Sequence, residues 1–234
     1  MTMEEIQIKE YYEKNPEGIP PLESIPEIYE MHSILKERVK KYKPDKLLDA
    51  GCGKGYTGES IYKLCKQYYG LDFSSSAIKI AKSRVPKGKF WEGSLRKLPF
   101  KDKFFDLIVC SEVLEHIPLY NEAIKEISRV IKKGGTILIT TPNRINPDMV
   151  WRRFWKGKYT YQIYDVPVHY KDLMKKFKEN RLKIEEFFSF FYLPLFGGSI
   201  PPPVKKWLMK IQEIVSKITR RPLGLYLFFR LTKV

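Results

Sequence analysis

Short apolar runs alternate with amphipathic stretches across residues 47–141 of this 234-residue chain. Residues 105–112 (FDLIVCSE) form a near-continuous apolar run, which is typical of a strand covered on both faces of a parallel sheet. Residues 121–132 instead place apolar side chains at helical spacing, and Gly134 and Gly135 follow where that helix is expected to end. Since crossovers between parallel strands require helices, the alternation predicts an α/β domain with a doubly wound, mostly parallel sheet.

Regular structure is also predicted on both sides of this alternation. From about Leu22 to Lys43 apolar residues recur at helical spacing, so residues 1–46 are interpreted as an N-terminal helical segment ahead of a domain at 47–234. His169 is expected to open a helix that runs to about Asn180. Two further strands are predicted at 182–195 and 223–232.

Two insertions do not fit the repeating pattern. Residues 143–168 interleave aromatic and basic side chains after the fifth strand, at the sheet edge where open α/β sheets bind ligands, and they are predicted to form a lid or acceptor pocket. Residues 201–221 are predicted to form an amphipathic helix. Burial of its apolar face against the domain is the favoured expectation, and contact with a membrane interface is the alternative. That face consists of Val204, Trp207, Leu208, Ile211, Ile214, Val215 and Ile218.

Charge and cysteine content narrow the choice of binding partners and of cellular compartment. The formal net charge is +16, and residues 151–234 contribute +12 of it, with 18 basic and 6 acidic side chains. Such an excess can attract anionic lipid, nucleic acid or an acidic partner, or it can be a lysine-rich solvated surface. Three cysteines without paired spacing predict a reduced, cytoplasmic setting and no metal site. No leader-like segment and no apolar run of membrane-spanning length is found, which leaves peripheral membrane contact open.

The most informative stretch is Leu47 to Gly58, LLDAGCGKGYTG. Apolar residues lead into Asp49, and glycines at 51, 53 and 55 then predict a tight turn between a strand and a helix. The turn can bring backbone N–H groups close to a small, partly anionic ligand. The lysine and hydroxyl residue of a phosphate-binding P-loop are absent, and the acidic residue precedes the glycines, which argues against a dinucleotide site.

The spacing DxGxGxG resembles the first motif of class I S-adenosylmethionine (SAM) methyltransferases. The passage DLIVCSEVLEHI, which follows LPF, resembles the branch that includes ubiquinone and menaquinone biosynthesis enzymes. Four motifs in the order of that family span residues 47–141. The resemblance implies a Rossmann-like fold with an antiparallel C-terminal hairpin, SAM as the methyl donor and S-adenosylhomocysteine as the product.

Candidate cofactor-binding residues follow from the strand ends. Asp72 ends the second strand about twenty residues after the turn, where a carboxylate can accept hydrogen bonds from a ribose diol. The resemblance implies that Asp49 faces the methionyl ammonium through water or backbone. The remaining candidates for cofactor contact are Gly51, Cys52 and Gly53 in the turn, Phe73 beside the adenine, Ser94 and Leu95 where the family commonly carries Asp-Ala, and Ser111.

Two histidines are candidates for a catalytic role. His116 borders the site by the resemblance, with a turn-holding structural role as the alternative. His169 is placed where many of the resembling enzymes carry a histidine facing the acceptor. An imidazole with a pKa near 6.5 can accept a proton from an acceptor hydroxyl or amine.

The expected activity is methyl transfer to oxygen, nitrogen or carbon of a small or lipophilic acceptor. An RNA or protein methyltransferase is the alternative enzyme, and a non-catalytic SAM-binding regulator is the alternative outside catalysis. The sequence leaves open the acceptor, the atom methylated, the use of a general base and the oligomeric state.

Overall fold

The computed structural model describes residues 26–143, 168–190 and 224–234, together with positions 6, 7, 10, 13, 204, 207, 210, 211, 214, 215, 218 and 222. Five α-helices with defined bounds lie within these ranges: α1 (Pro26–Tyr42), α2 (Tyr56–Ile61), α3 (Ser75–Arg84), α4 (Tyr120–Val130) and α5 (Tyr170–Glu179). The strands are β1 (Lys46–Ala50), β2 (Gln67–Asp72), β3 (Lys89–Glu92), β4 (Phe105–Ser111), β5 (Ile131–Pro142), β6 (Leu182–Phe190) and β7 (Tyr226–Lys233).

The seven strands form one sheet in the order β3-β2-β1-β4-β5-β7-β6. Strands β1 to β5 are parallel, and β7 runs antiparallel to both β5 and β6. The fold is therefore the mostly parallel α/β sheet with an antiparallel C-terminal hairpin that the sequence predicts. In such a sheet the carboxyl ends of the parallel strands meet at one edge, called the carboxyl edge below.

Helices cover both faces of the sheet, and alternate strand residues feed two separate cores. Leu47 and Leu107 belong to the core on the α1 side, whereas their neighbours Leu48 and Ile108 belong to the core beneath α4 and α5. All four side chains have no solvent exposure. This burial on both faces explains why the strands are apolar at consecutive positions rather than at alternate ones.

Helix α1 links the two ends of the chain. Its buried residues Leu35 and Val39 pack in the same core as Leu138 of β5. On its partly exposed side the guanidinium of Arg38 donates from Nε to Oε2 of Glu186 at 3.1 Å. Arg230 of β7 donates to the same oxygen at 3.2 Å, so one carboxylate in β6 joins α1 to the C-terminal hairpin.

The predicted role of Gly134 and Gly135 as the end of α4 is wrong. The helix ends at Val130, and β5 begins at the next residue. The last carbonyl groups of α4 accept hydrogen bonds from the chain before β4 instead of from a further helical turn. The Phe104 N–H, for example, donates to the Val130 oxygen at 2.7 Å. The two glycines lie instead where the β4–β5 register shifts, and Gly134 has a φ of 74° there.

The insertions are only partly described. The lid predicted at 143–168 lies outside the described residues except for Asn143 and Val168, which are both buried. In the segment 201–221 all the described positions are helical. The favoured expectation of burial is wrong for most of its described apolar residues, because Val204, Trp207, Ile214, Val215 and Ile218 are 38–75% exposed.

We expect Gly224→Ala to lower the free energy of unfolding by ~1–3 kcal/mol, as overpacking does. A β-carbon at residue 224 would clash with the carbonyl oxygen of Phe190 and lie 2.7 Å from its nitrogen, and backbone atoms cannot swing aside. Gly93→Ala is the matched control, because its new methyl group would meet its nearest atom, of Leu71, at 3.6 Å. Urea unfolding of both variants measures the difference in stability. Equal stability of the two variants would contradict the prediction that residue 224 has no room for a β-carbon.

Candidate functional site

The glycine turn between β1 and α2 folds across the end of β2. Gly51, Gly53 and Gly55 have φ values of 83°, 48° and 81°, a left-handed region that strongly favours glycine. At the start of the turn, the Gly51 and Cys52 N–H groups both donate to the carbonyl oxygen of Leu71, at 2.8 and 3.0 Å. A β-carbon at Gly51 would lie 2.5 Å from Val113, so the turn also has no room for a side chain there.

Asp72 ties the turn to the next helix. Its Oδ2 accepts from the Gly53 N–H at 2.8 Å, and its Oδ1 accepts from the Ser74 N–H at 2.9 Å. Burial raises the pKa of this carboxyl, while the backbone hydrogen bonds from Ser74 and Gly53 act in the opposite direction. The Phe73 backbone also donates to this carboxyl, so about one of the roughly four acceptor positions of a carboxylate remains for a hydroxyl donor.

Asp49 lies behind the turn rather than at its surface. Its side chain is 1% exposed, and the Tyr68 hydroxyl donates to its Oδ2 at 2.6 Å. Burial raises the pKa of Asp49 to about 7, although the Tyr68 hydrogen bond lowers it. No local motif in the sequence marks Tyr68. Strand pairing could have indicated it, because Asp49 pairs with Gly70 and Tyr68 lies two residues earlier on the same face of β2.

The candidate adenine side lies at the end of β3. The Gly93 N–H donates to the Asp72 carbonyl at 2.9 Å, which brings Gly93, the residue before Ser94, next to the ribose candidate Asp72. The Ser94 hydroxyl accepts from the Arg96 N–H at 3.2 Å within a local turn. Leu95 is 4% exposed and belongs to the core, and Phe73 is partly buried directly after β2.

Ser111 ends β4 at the carboxyl edge, and its predicted contact with the cofactor stays a prediction. Its hydroxyl lies 2.8 Å from the Thr140 hydroxyl on β5. The sulfur of Met31, from α1, accepts from Thr140 at 3.2 Å. In the sequence, helical spacing marks Met31 only as an apolar residue. Its contact with the hydroxyls of Ser111 and Thr140 depends on how α1 packs.

Two further contacts join the N-terminal segment to this edge. His32 of α1 places Nε2 3.2 Å from the Thr57 hydroxyl, and burial lowers the pKa of His32 to about 4, so the ring is neutral at physiological pH. Glu13 accepts from the Ser75 N–H at 2.8 Å at the start of α3. Nothing in the local sequence pattern marks His32 or Glu13 for these contacts.

The two candidate catalytic histidines have different surroundings. His116 places Nε2 3.8 Å from Oε1 of the buried Glu115, whose other oxygen accepts from the Thr141 hydroxyl at 3.2 Å. His169 caps α5, since its Nδ1 accepts from the Lys171 N–H at 3.2 Å. Because α5 crosses from β5 to β6, its first residue lies at the carboxyl edge. A chemical role for either histidine stays a prediction.

The described parts of the chain contain no cluster of three or more His, Cys, Asp or Glu side chains suited to a metal ion. No helix among the described residues is long and apolar enough to cross a bilayer. All three cysteines are free, and burial raises the pKa of the Cys52 thiol well above its usual value. Cys52 is thus a neutral packing residue of the turn.

Comparison with known proteins is consistent with this geometry. A family model described as a methyltransferase domain matches residues 48–139. A probable S-adenosylmethionine-dependent methyltransferase of Mycolicibacterium smegmatis is 34% identical over 99 residues, which are 42% of this chain and 38% of the relative. The demethylmenaquinone methyltransferase of Bacillus mycoides is 30% identical over 156 residues, 61% of this chain and 62% of the relative. The matched stretches span 38–47% of the first three curated relatives.

Among solved structures, the fold is similar to that of geranyl diphosphate C-methyltransferase from Streptomyces coelicolor, in complex with Mg²⁺, geranyl diphosphate and S-adenosylhomocysteine. The TM-score is 0.65 over 100% of this chain and 99% of the other, with 15% sequence identity. At that identity the likeness concerns the fold alone.

We expect Asp49→Asn to flatten the pH dependence of stability. The folded state keeps the Asp49 proton up to a pKa of about 7, against 3.8 for a free side chain, so folding binds a proton between these values. The contribution of Asp49 to stability is therefore greatest in acid, and is lost as pH rises through about 7, by at most ~1.4 kcal/mol per pH unit. Urea unfolding of both proteins from about pH 5 to about pH 8 measures the difference, and parallel curves would contradict the prediction.

Proposed function

Because the chain belongs to the class I SAM-dependent methyltransferase family, we propose that it transfers a methyl group from SAM to a small or lipophilic acceptor. The observation that carries the proposal is the Asp72 carboxylate, which is held by the Gly53 and Ser74 N–H groups at the end of β2. A buried hydrogen-bond acceptor that is fixed next to the glycine turn suits the ribose of a cofactor that also carries a charged methionyl group.

The residues present fit this cofactor. Asp72 would accept from the ribose hydroxyls, and the glycine turn would let the backbone approach the methionyl group closely. Asp49 would stabilise the methionyl ammonium through the turn, and Ser94 would lie on the adenine side of the site. SAM bound there supplies an activated methyl group on sulfur.

The protein's own contribution is to orient the acceptor. Holding two reactants in line can supply ~7–11 kcal/mol of the barrier in favourable models, so a strong general base is not required. The candidate residues for receiving a proton from the acceptor are His116 and His169. The Nδ1 of His169 accepts the Lys171 N–H in the helix cap, so in the neutral ring Nε2 carries the proton and can donate a hydrogen bond to the methyl acceptor. His169 can receive a proton only at Nδ1, after the cap hydrogen bond is released.

A lipophilic acceptor is supported by two observations. The relatives include enzymes named for ubiquinone and menaquinone biosynthesis, whose names specify lipid-soluble quinones. The additions at 143–168 and 201–221 are aromatic or amphipathic in sequence. Methylation of RNA or protein remains the alternative reaction, supported by the net charge of +16. A non-catalytic SAM-binding regulator is the alternative outside catalysis.

Methyl transfer from labelled SAM to a cell extract, resolved into lipid, RNA and protein fractions, tests the proposal. Label in the lipid or small-molecule fraction is the expected result. Label in the RNA or protein fraction would show that the acceptor is RNA or protein and not a small or lipophilic molecule. SAM binding with no transfer to any fraction would support the regulator, and absence of binding would overturn the proposal itself.

We expect Asp72→Asn to weaken SAM binding by ~1.5–3 kcal/mol, the range for losing hydrogen bonds to a charged group. Asp45→Asn is the matched control, because Asp45 is 61% exposed, pairs with Lys66 and precedes β1 at the opposite edge of the sheet. Calorimetric titration with SAM measures both affinities, with circular dichroism to check folding. Unchanged affinity in a folded Asp72→Asn protein would remove the ribose assignment.

The role of His169 can be separated from its helix cap. We expect His169→Ala and His169→Ser each to lower turnover at least ~100-fold, the low end for a lost acid–base group, with SAM affinity near wild type. Serine restores a capping oxygen at the start of α5, so His169→Ser controls for stability. Recovery of wild-type turnover in His169→Ser would show that the histidine only caps the helix.

A further inference from the structure

The most exposed apolar surface among the described residues lies on the helical segment 204–218. Five of its six described apolar side chains are exposed, and their positions in the 3.6-residue repeat place them on one helix face: Val204, Trp207, Ile214, Val215 and Ile218. We call them the apolar stripe. Trp207 and Ile218 are 63% and 75% exposed, values that the core of a folded domain does not show.

The chain around the stripe is strongly basic. Residues 201–234 contain eight basic residues and one acidic residue. In the sequence, Lys206, Lys210 and Lys217 recur at intervals of four and seven residues, a spacing typical of one helix face. Among these, Lys210 is described and is exposed. Apolar residues with an indole anchor and a neighbouring row of ammonium groups are the pattern of helices that lie in the membrane interface.

The topology joins this segment to the edge that carries the candidate site. Pro142, at the carboxyl end of β5, pairs with Tyr226, and Phe190 pairs with the same residue. The segment between Phe190 and Tyr226 therefore leaves and re-enters the sheet at the carboxyl edge. Asn143 fixes its return, because its Nδ2 donates to the carbonyl oxygens of Pro222 and Gly224 at 2.9 and 2.8 Å.

We propose that the apolar stripe docks on an anionic lipid bilayer and holds the carboxyl edge of the sheet toward the membrane. The proposal does not require the methyl transfer argued above. A second copy of the chain fits less well, since a two-fold contact through the stripe would bring two like-charged rows together. Nucleic acid also fits less well, because valine and isoleucine give bases no stacking surface.

Vesicle flotation with the full chain tests the proposal. The vesicles are phosphatidylcholine alone and phosphatidylcholine mixed with phosphatidylglycerol, at low and high salt. We expect flotation with the anionic vesicles at low salt and a marked decrease at high salt, because salt screens the attraction to the lipid charge. Failure of the wild-type protein to float with anionic vesicles at low salt would overturn the proposal.

Single substitutions then locate the contact. We expect Trp207→Glu and Ile218→Glu each to weaken binding at least about fivefold, the effect of one charge near an anionic surface, with loss of apolar contact adding to it. Val234→Glu is the matched control, because Val234 is 55% exposed and follows β7 at the opposite edge of the sheet. The control should bind like wild type. Equal binding by all three variants would place the contact elsewhere and overturn the proposal.

Two measurements keep the outcomes distinct. Circular dichroism checks that the variants remain folded, which the exposure of their side chains leads us to expect. Size-exclusion chromatography without lipid checks for self-association: a wild-type dimer that Ile218→Glu dissociates would assign the stripe to a second copy instead. Because SAM binding is measured separately, a protein that binds SAM and ignores vesicles would overturn only the membrane contact.

Discussion

The candidate site depends on the hydrogen bonds that the Asp72 carboxylate accepts from the backbone. The carboxylate receives one N–H from the glycine turn and one from the start of α3, so a single side chain fixes two loops to the end of β2. The buried carboxylate costs free energy to desolvate, and the two charge-assisted hydrogen bonds offset part of that cost. The result is a preorganised hydrogen-bond acceptor at the carboxyl end of β2.

Strand order explains why the functional candidates gather at one edge. Strands β1, β2, β4 and β5 are parallel neighbours, so the loops after them converge, and the antiparallel β7 adds its own starting loop to the same edge. Asn143 secures that last loop against the end of β5. Insertions placed in these loops extend the site without disturbing the core, which is how one fold supports many acceptors.

The N-terminal segment takes part in the site more than its position in the sequence suggests. Met31 accepts a hydrogen bond from Thr140, and His32 contacts Thr57 on the helix that follows the glycine turn. These contacts lie on the face of α1 that packs against the sheet, whereas Arg38 pairs with Glu186 in β6. The packing of α1 therefore helps to shape the carboxyl edge.

The sequence by itself determined the strand and helix order, the glycine turn and the place of Asp72, because these follow from local periodicity and from glycine's access to positive φ. It misplaced the end of α4, where hydrogen bonds from the chain before β4 take over the last helical carbonyls. Tertiary structure alone decided that Tyr68 contacts Asp49, that Met31 contacts Thr140 and that the side chains of the apolar stripe are exposed. Such contacts depend on how elements distant in sequence pack together, and local residue patterns carry no information about that packing.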